Sequence, residues 1–141
     1  MKIKNIQLKS IEARRYANLS EHPMKVRIDH NSSVTQITNL KDKQVSVDFQ
    51  YTASYGPIGM IKLEGSMLYE DDDAKKITAE WQNTHKMPNE VASKIHTAVM
   101  HACVPEAVGV AKDLGLPPPI PLPQVNIGDA PKKAQSGPEV A

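Results

Sequence analysis

The chain has 141 residues, 17 Lys and Arg against 16 Asp and Glu, and a single cysteine, Cys103. A formal net charge of +1 leaves no electrostatic footprint for nucleic acid or an anionic membrane surface. One cysteine excludes a disulfide framework and a four-cysteine zinc site, and no apolar run approaches the ~20 residues that span a bilayer. The opening MKIKNIQLKS alternates charge with hydrophobe, unlike a secretory leader, so the expectation is a protein of a reducing compartment, most simply the cytoplasm.

The first half reads as strands. Between Ile3 and Tyr16, Ile6 and Leu8 share one phase while Ile11 and Ala13 share the other, so a strand that keeps one face buried needs a bulge near Lys9–Ser10. Met24, Val26, Ile28 and His30 alternate with Lys25, Arg27, Asp29 and Asn31, the pattern of a sheet wet on one side. Asn31-Ser32-Ser33 offers a bend, with the strand resuming over Val34–Leu40. The clearest strand follows: Val45, Val47, Phe49, Tyr51, Ala53 and Tyr55 on one face, with polar residues between them. Gly56-Pro57-Ile58-Gly59 supplies turn chemistry, and Ile61, Leu63, Gly65, Met67 and Tyr69 alternate on the way back. These two strands form an antiparallel hairpin.

The period then changes. Asp71-Asp72-Asp73 caps a helix carrying the stripe Ala74, Ile77 and Trp81 and ending near His85, with Asp71/Lys75 and Asp72/Lys76 spaced for i,i+4 pairs. Pro88 or Asn89 restarts the chain. A longer helix follows, with Val91, Ala92, Ile95, Ala98, Val99, Ala102 and Cys103 on one face and Glu90, Lys94, Thr97 and His101 opposite. Pro105 predicts a kink or break, and Gly115 a C-terminal stop before Pro117. Seven of the 11 prolines lie between Pro117 and Pro138. Residues 1–125 therefore read as one domain ending in an extended Pro-rich strap, and 126–141 as a flexible C-terminal tail. Strands followed by helices give an α+β fold: a four-stranded antiparallel sheet with two helices on one face.

Catalytic motifs are missing from the sequence: there is no G-x-S-x-G elbow, Gly-rich phosphate loop or H-E-x-x-H. Cys103 among Val99, Ala102 and Val104 reads as an inert buried thiol rather than a nucleophile. His96, Met100 and Cys103 at i, i+4 and i+7 are soft donors of the Cu(I) type, a weaker reading than two core-edge side chains and a half-exposed histidine. Asp71–Asp73 reads as a cap before it reads as a cation site. No catalytic residue, cofactor or metal is assigned.

Several strings resemble the SecB family of preprotein-export chaperones. IKNIQLKSIEARR is similar to that family's opening strand, and VDFQYTASYGPIGMIKLEGSMLY to its central hairpin. Val104-Pro105-Glu106-Ala107 matches the aromatic-Pro-x-Ala step of its long helix, and Gly115-Leu116-Pro117 with Leu122-Pro123-Gln124-Val125-Asn126 its helix exit and strap. The likeness spans residues 3–126. It implies an ATP-independent holdase that binds unfolded polypeptide clients without a cofactor, and a homo-oligomer, a dimer or a homotetramer packed through the long helices. Tyr16, Leu19 and Met24 around the first loop, with Ile95, Val99 and Met100 on the long helix, are the candidate client-binding residues. The chain departs from the pattern at three points. It lacks the acidity by which bacterial members dock the export motor ATPase, which counts against that partner. Its Tyr16–Pro23 segment is shorter than the family's crossover loop, and its Asp71–His85 helix is an insertion. The competing function is an adaptor on the same fold with one dedicated partner, for example in a toxin–antitoxin system. A small enzyme or metal-handling protein is the third and weakest.

Overall fold

The computed structural model describes residues 2–18 and 26–120. Four strands, β1 (Lys2–Arg15), β2 (Asp29–Lys41), β3 (Gln44–Ser54) and β4 (Gly59–Glu70), precede two helices, α1 (Ala74–Thr84) and α2 (Asn89–Asp113). All pairings are antiparallel and the sheet order is β1-β4-β3-β2, with β3 and β4 central. This is the α+β layering that the hydrophobic periods predict.

The β3–β4 hairpin sets the core. Its register places Val45 opposite Tyr69, Val47 opposite Met67, Phe49 opposite Gly65, Tyr51 opposite Leu63 and Ala53 opposite Ile61. All of these side chains are buried on one face, while the alternate residues face outward. Directly opposed pairs share a face, so one strict alternation on each strand builds one apolar layer. Two bonds close the turn, with Tyr55 N–H donating to Gly59 O at 3.0 Å and Ile58 N–H to Tyr55 O at 3.2 Å. The outward face is polar, and Lys4–Glu70 at 3.1 Å and Lys62–Glu64 at 3.2 Å are half-exposed ion pairs there.

Helix α2 presents one line to the sheet, Val91, Ile95, Val99, Cys103, Ala107 and Ala111, each one turn after the last. It touches all four strands, whereas α1 covers β2 and β3 with Ala74, Ile77, Thr78 and Trp81. Pro105 does not break α2, which runs on to Asp113. Pro105 and His101 lie on the exposed side, where water can satisfy the carbonyl that the missing N–H leaves without a donor. The helix ends in a Schellman motif: Leu116 N–H reaches Ala111 O at 2.8 Å and Gly115 N–H reaches Lys112 O at 3.1 Å. Gly115 takes the positive φ of 65° that this exit requires.

Three further expectations are corrected. Asn31-Ser32-Ser33 does not bend the chain: these residues pair in register with Thr52, Tyr51 and Gln50, and the irregularity falls between Val34 and Gln36. Val26 and Ile28 pack on the core but precede the strand, and Met24 lies outside the described residues. The expected i,i+4 ion pairs on α1 are replaced by links to the β2–β3 turn, Lys43–Asp72 at 3.4 Å and Lys75–Asp42 at 3.1 Å. Asp73 holds the N-cap position without a side-chain cap bond. Instead Asp71 accepts from Asp73 N–H at 2.9 Å and from the Tyr69 hydroxyl at 2.9 Å. The strap is described only to Ile120; its remainder and the 126–141 tail lie outside the described residues.

Candidate functional site

Strand β1 is an edge strand and follows the core layer imperfectly. Its register with β4 slips twice, between Lys4 and Gln7 and between Leu8 and Ser10, the second at the position the phase change predicts. Asn5, in the first slip, has a positive φ of 54°. The two bulges return Leu8, Ile11 and Ala13 to the helix side, opposite Gly65, Leu63 and Ile61. From Ser10 to Arg15 the pairing is unbroken.

Helix α2 touches this strand but leaves part of its apolar surface open. Among the described residues five large hydrophobics are exposed: Ile6 (36%), Ile11 (50%), Tyr16 (57%), Leu40 and Ile120. The first three lie on β1 or one residue past it, so the uncovered apolar surface concentrates at this edge. Ile11 sits on the buried-face register and is still half open, because β1 is the strand farthest from α1. Tyr16 is fixed at the end of the strand by its N–H, which donates to Ile58 O at 2.8 Å. The outer side of β1 has no strand partner among the described residues, and such an edge offers backbone donors and acceptors to an extended chain.

The residues expected to bind a client do not converge on one site. Tyr16 is exposed. Leu19 and Met24 lie outside the described residues. Ile95 and Val99 are corrected: both are 0% exposed on the line that α2 lays on the sheet, so neither can touch a client in this conformation. Met100 is half-buried beside that line. Ile6 and Ile11 were legible only as a phase problem in the first strand, since no sequence pattern says where a helix stops covering a sheet.

Next to Tyr16 the chain leaving α2 is tied down by side chains. The Arg15 guanidinium donates to Leu114 O at 3.3 Å and Gly115 O at 2.6 Å, and also to Ala17 O and Asn18 O, both at 3.1 Å. The Tyr55 hydroxyl donates to Pro117 O at 2.6 Å. His30 Nε2–H donates to Pro119 O, and its Nδ1 accepts from the Tyr51 hydroxyl at 2.7 Å. Burial pushes the Tyr55 phenol up to about 12 and raises that of Tyr51 further, so both remain donors at neutral pH. Leu116 and Pro119 are buried between these contacts.

The rest of the interior is chemically quiet. Burial, with a smaller contribution from the Glu106 charge, pushes the Cys103 thiol up to about 11, which keeps it protonated and unreactive. His96 Nδ1 is paired with Ser32 Oγ at 2.8 Å beside a groove of about 420 Å³ between β2 and the helices. Cys103 is 0% exposed on the line that α2 lays on the sheet. Among the described residues no three His, Cys, Asp or Glu side chains cluster as metal ligands, and no helix is long and apolar enough to cross a membrane.

No protein-family model matches the sequence, and no curated protein matches it significantly. Solved structures are more informative. The chain is similar to the Mycobacterium tuberculosis SecB-like chaperone Rv1957, solved in complex with a ChAD peptide from the Rv1956 HigA1 antitoxin. The match has a TM-score of 0.57 at 14% sequence identity and covers 89% of this chain and 87% of that one. The strand order, the two helices behind the sheet and this near end-to-end match identify the chain as a divergent bearer of the SecB-like fold.

Proposed function

We propose that the chain is an ATP-independent, SecB-like polypeptide-binding protein that holds extended, non-native segments along β1. The observation that carries the reading is the concentration of exposed Ile6, Ile11 and Tyr16 on an edge strand whose Ser10–Arg15 stretch keeps an unbroken register. An unpaired edge supplies main-chain hydrogen bonds to any extended chain, and alternate side-chain contacts add affinity with little demand on sequence. The peptide bound to the structural neighbour supports the same use of the fold. Tyr16 and Met100, with Leu19 and Met24 in the first loop, are the contacts retained from the sequence; Ile6 and Ile11 join them. Ile95 and Val99 act only by seating α2. Assembly into a dimer or tetramer belongs to the same reading, and a cytoplasmic site of action is its simplest setting.

The test is light scattering from a chemically unfolded client diluted into buffer with equimolar protein. Suppressed aggregation is expected, and the double variant Ile11→Asp, Tyr16→Asp should lose most of it while keeping its fold. Unchanged scattering with the wild-type chain overturns the proposal. A second reading, an adaptor for one dedicated partner, is favoured by the antitoxin origin of the neighbour's peptide. Competition separates the two: unrelated unfolded peptides displace a client from a holdase and leave an adaptor's partner bound.

A further inference from the structure

The segment leaving α2 is held in an unusual way. Three side chains from three different parts of the sheet meet carbonyls two residues apart: Arg15 at Gly115 O, Tyr55 at Pro117 O and His30 at Pro119 O. At the strap all three donors meet main-chain carbonyls. Two-residue spacing, as between Pro117 O and Pro119 O, is the repeat of an extended segment, whereas Gly115, with its φ of 65°, is still the helix exit. A guanidinium, a phenol O–H and an imidazole N–H all act here as donors. The segment answers the sheet with acceptors: Pro117, Pro118 and Pro119 carry no N–H, and the Gly115 and Leu116 N–H groups are taken by Lys112 O and Ala111 O. Between the carbonyls, Leu116 and Pro119 enter apolar seats. Gly59 lies against the first: a Cβ there would come within 2.6 Å of Arg14 O and 3.3 Å of both Leu116 methyls.

None of this depends on the strap's own side chains beyond their being apolar and small enough to fit. The track also joins the β1 surface, because Arg15 holds Ala17 O and Asn18 O beside exposed Tyr16 with the same guanidinium. We infer that the seat beneath Gly115–Pro119 is a polypeptide-binding track held closed in cis, and that an extended segment of non-native polypeptide displaces the strap and takes over its three donors. The inference rests on the polypeptide-binding reading above and adds to it a second binding track and its regulation: the strap competes with the client.

The full-length chain tests it from both sides of the contact. Leu116→Ser with Pro119→Gly loosens the strap and leaves the donors intact; Pro119→Gly alone is the milder variant if the pair unfolds. Two fluorescent probes are titrated, a carboxymethylated, permanently unfolded polypeptide and a peptide copying residues 114–120. The opened chain is expected to bind the unfolded polypeptide about tenfold tighter than wild type, because the closed state no longer reduces the competent fraction. It is also expected to capture the strap peptide, which wild type excludes. Adding Tyr55→Phe in the opened background should weaken both by about threefold to tenfold, the effect of one hydrogen bond. If wild type binds the unfolded polypeptide and the opened chain binds it no better and ignores the strap peptide, the track is overturned and the β1 reading stands. If neither chain binds the unfolded polypeptide, the β1 reading falls and the client's part of this inference falls with it, even where the strap peptide binds.

Discussion

Strands β1 and β3 belong to one sheet and are of similar length, yet they obey different rules. Central β3 alternates without a break: every second residue from Val45 to Ala53 is buried and each meets a partner across β4. Edge strand β1 slips register twice and leaves Ile6 and Ile11 exposed. A strand flanked on both sides has its register fixed by two ladders and a covering helix; an edge strand has one ladder and can absorb extra residues. Stability therefore concentrates in the middle of the sheet, while the surface available to other chains lies at its margin.

Substitutions sharpen that contrast. Phe49→Ala removes a ring at the centre of the core and should cost about 3–5 kcal/mol in chemical unfolding; a cost below ~1 kcal/mol would contradict the core as described. Gly65→Ala attacks the joint between the two regions. A Cβ there would meet the Gln7 carbonyl, come within 2.8 Å of Phe49 Cζ and 3.0 Å of Leu8 Cα. Two of these three neighbours are backbone, so the sheet must spread; a loss of about 1–3 kcal/mol is expected, with β1 amides exchanging before those of β3.

Asp71 gives a smaller effect with a defined pH window. The Asp73 backbone N–H, assisted by the Tyr69 hydroxyl and opposed by partial burial, holds its carboxyl below the usual 3.8. The unfolded chain therefore takes up this proton first on acidification. The stabilisation is complete above the ordinary carboxylate range and is lost as pH falls through the lowered folded value. Wild type should melt above Asp71→Asn at pH 7, and the gap should close in acid; a pH-independent gap would mean that the charge plays no part. The smallest effect belongs to the edge: Ile11→Ser should change stability by about 0.5 kcal/mol or less, while Val99→Ser on the buried line of α2 should unfold far more easily.

The sequence made the central hairpin, both helices, the glycine exit at Gly115 and one of the two β1 bulges readable, because each follows from a local period or a residue with restricted φ. What it could not show depends on distant neighbours. Pro105 is tolerated because it happens to face water. Ser32 stays in a strand because it pairs with Tyr51 and its hydroxyl meets His96. Ile95 and Val99 looked like a binding face because a helix stripe that packs on its own sheet and one that grips a foreign chain share a single pattern. Arg15, His30 and Tyr55 are separated by 15 to 40 residues in sequence, and nothing in their spacing announces that they hold one strap.

Amide hydrogen exchange with and without a bound unfolded polypeptide tests the central claim most directly. The account predicts new protection over Ser10–Tyr16 on β1, with the β3 core unchanged. Protection confined to the polar outward face of the sheet, or none at saturating polypeptide, would contradict it.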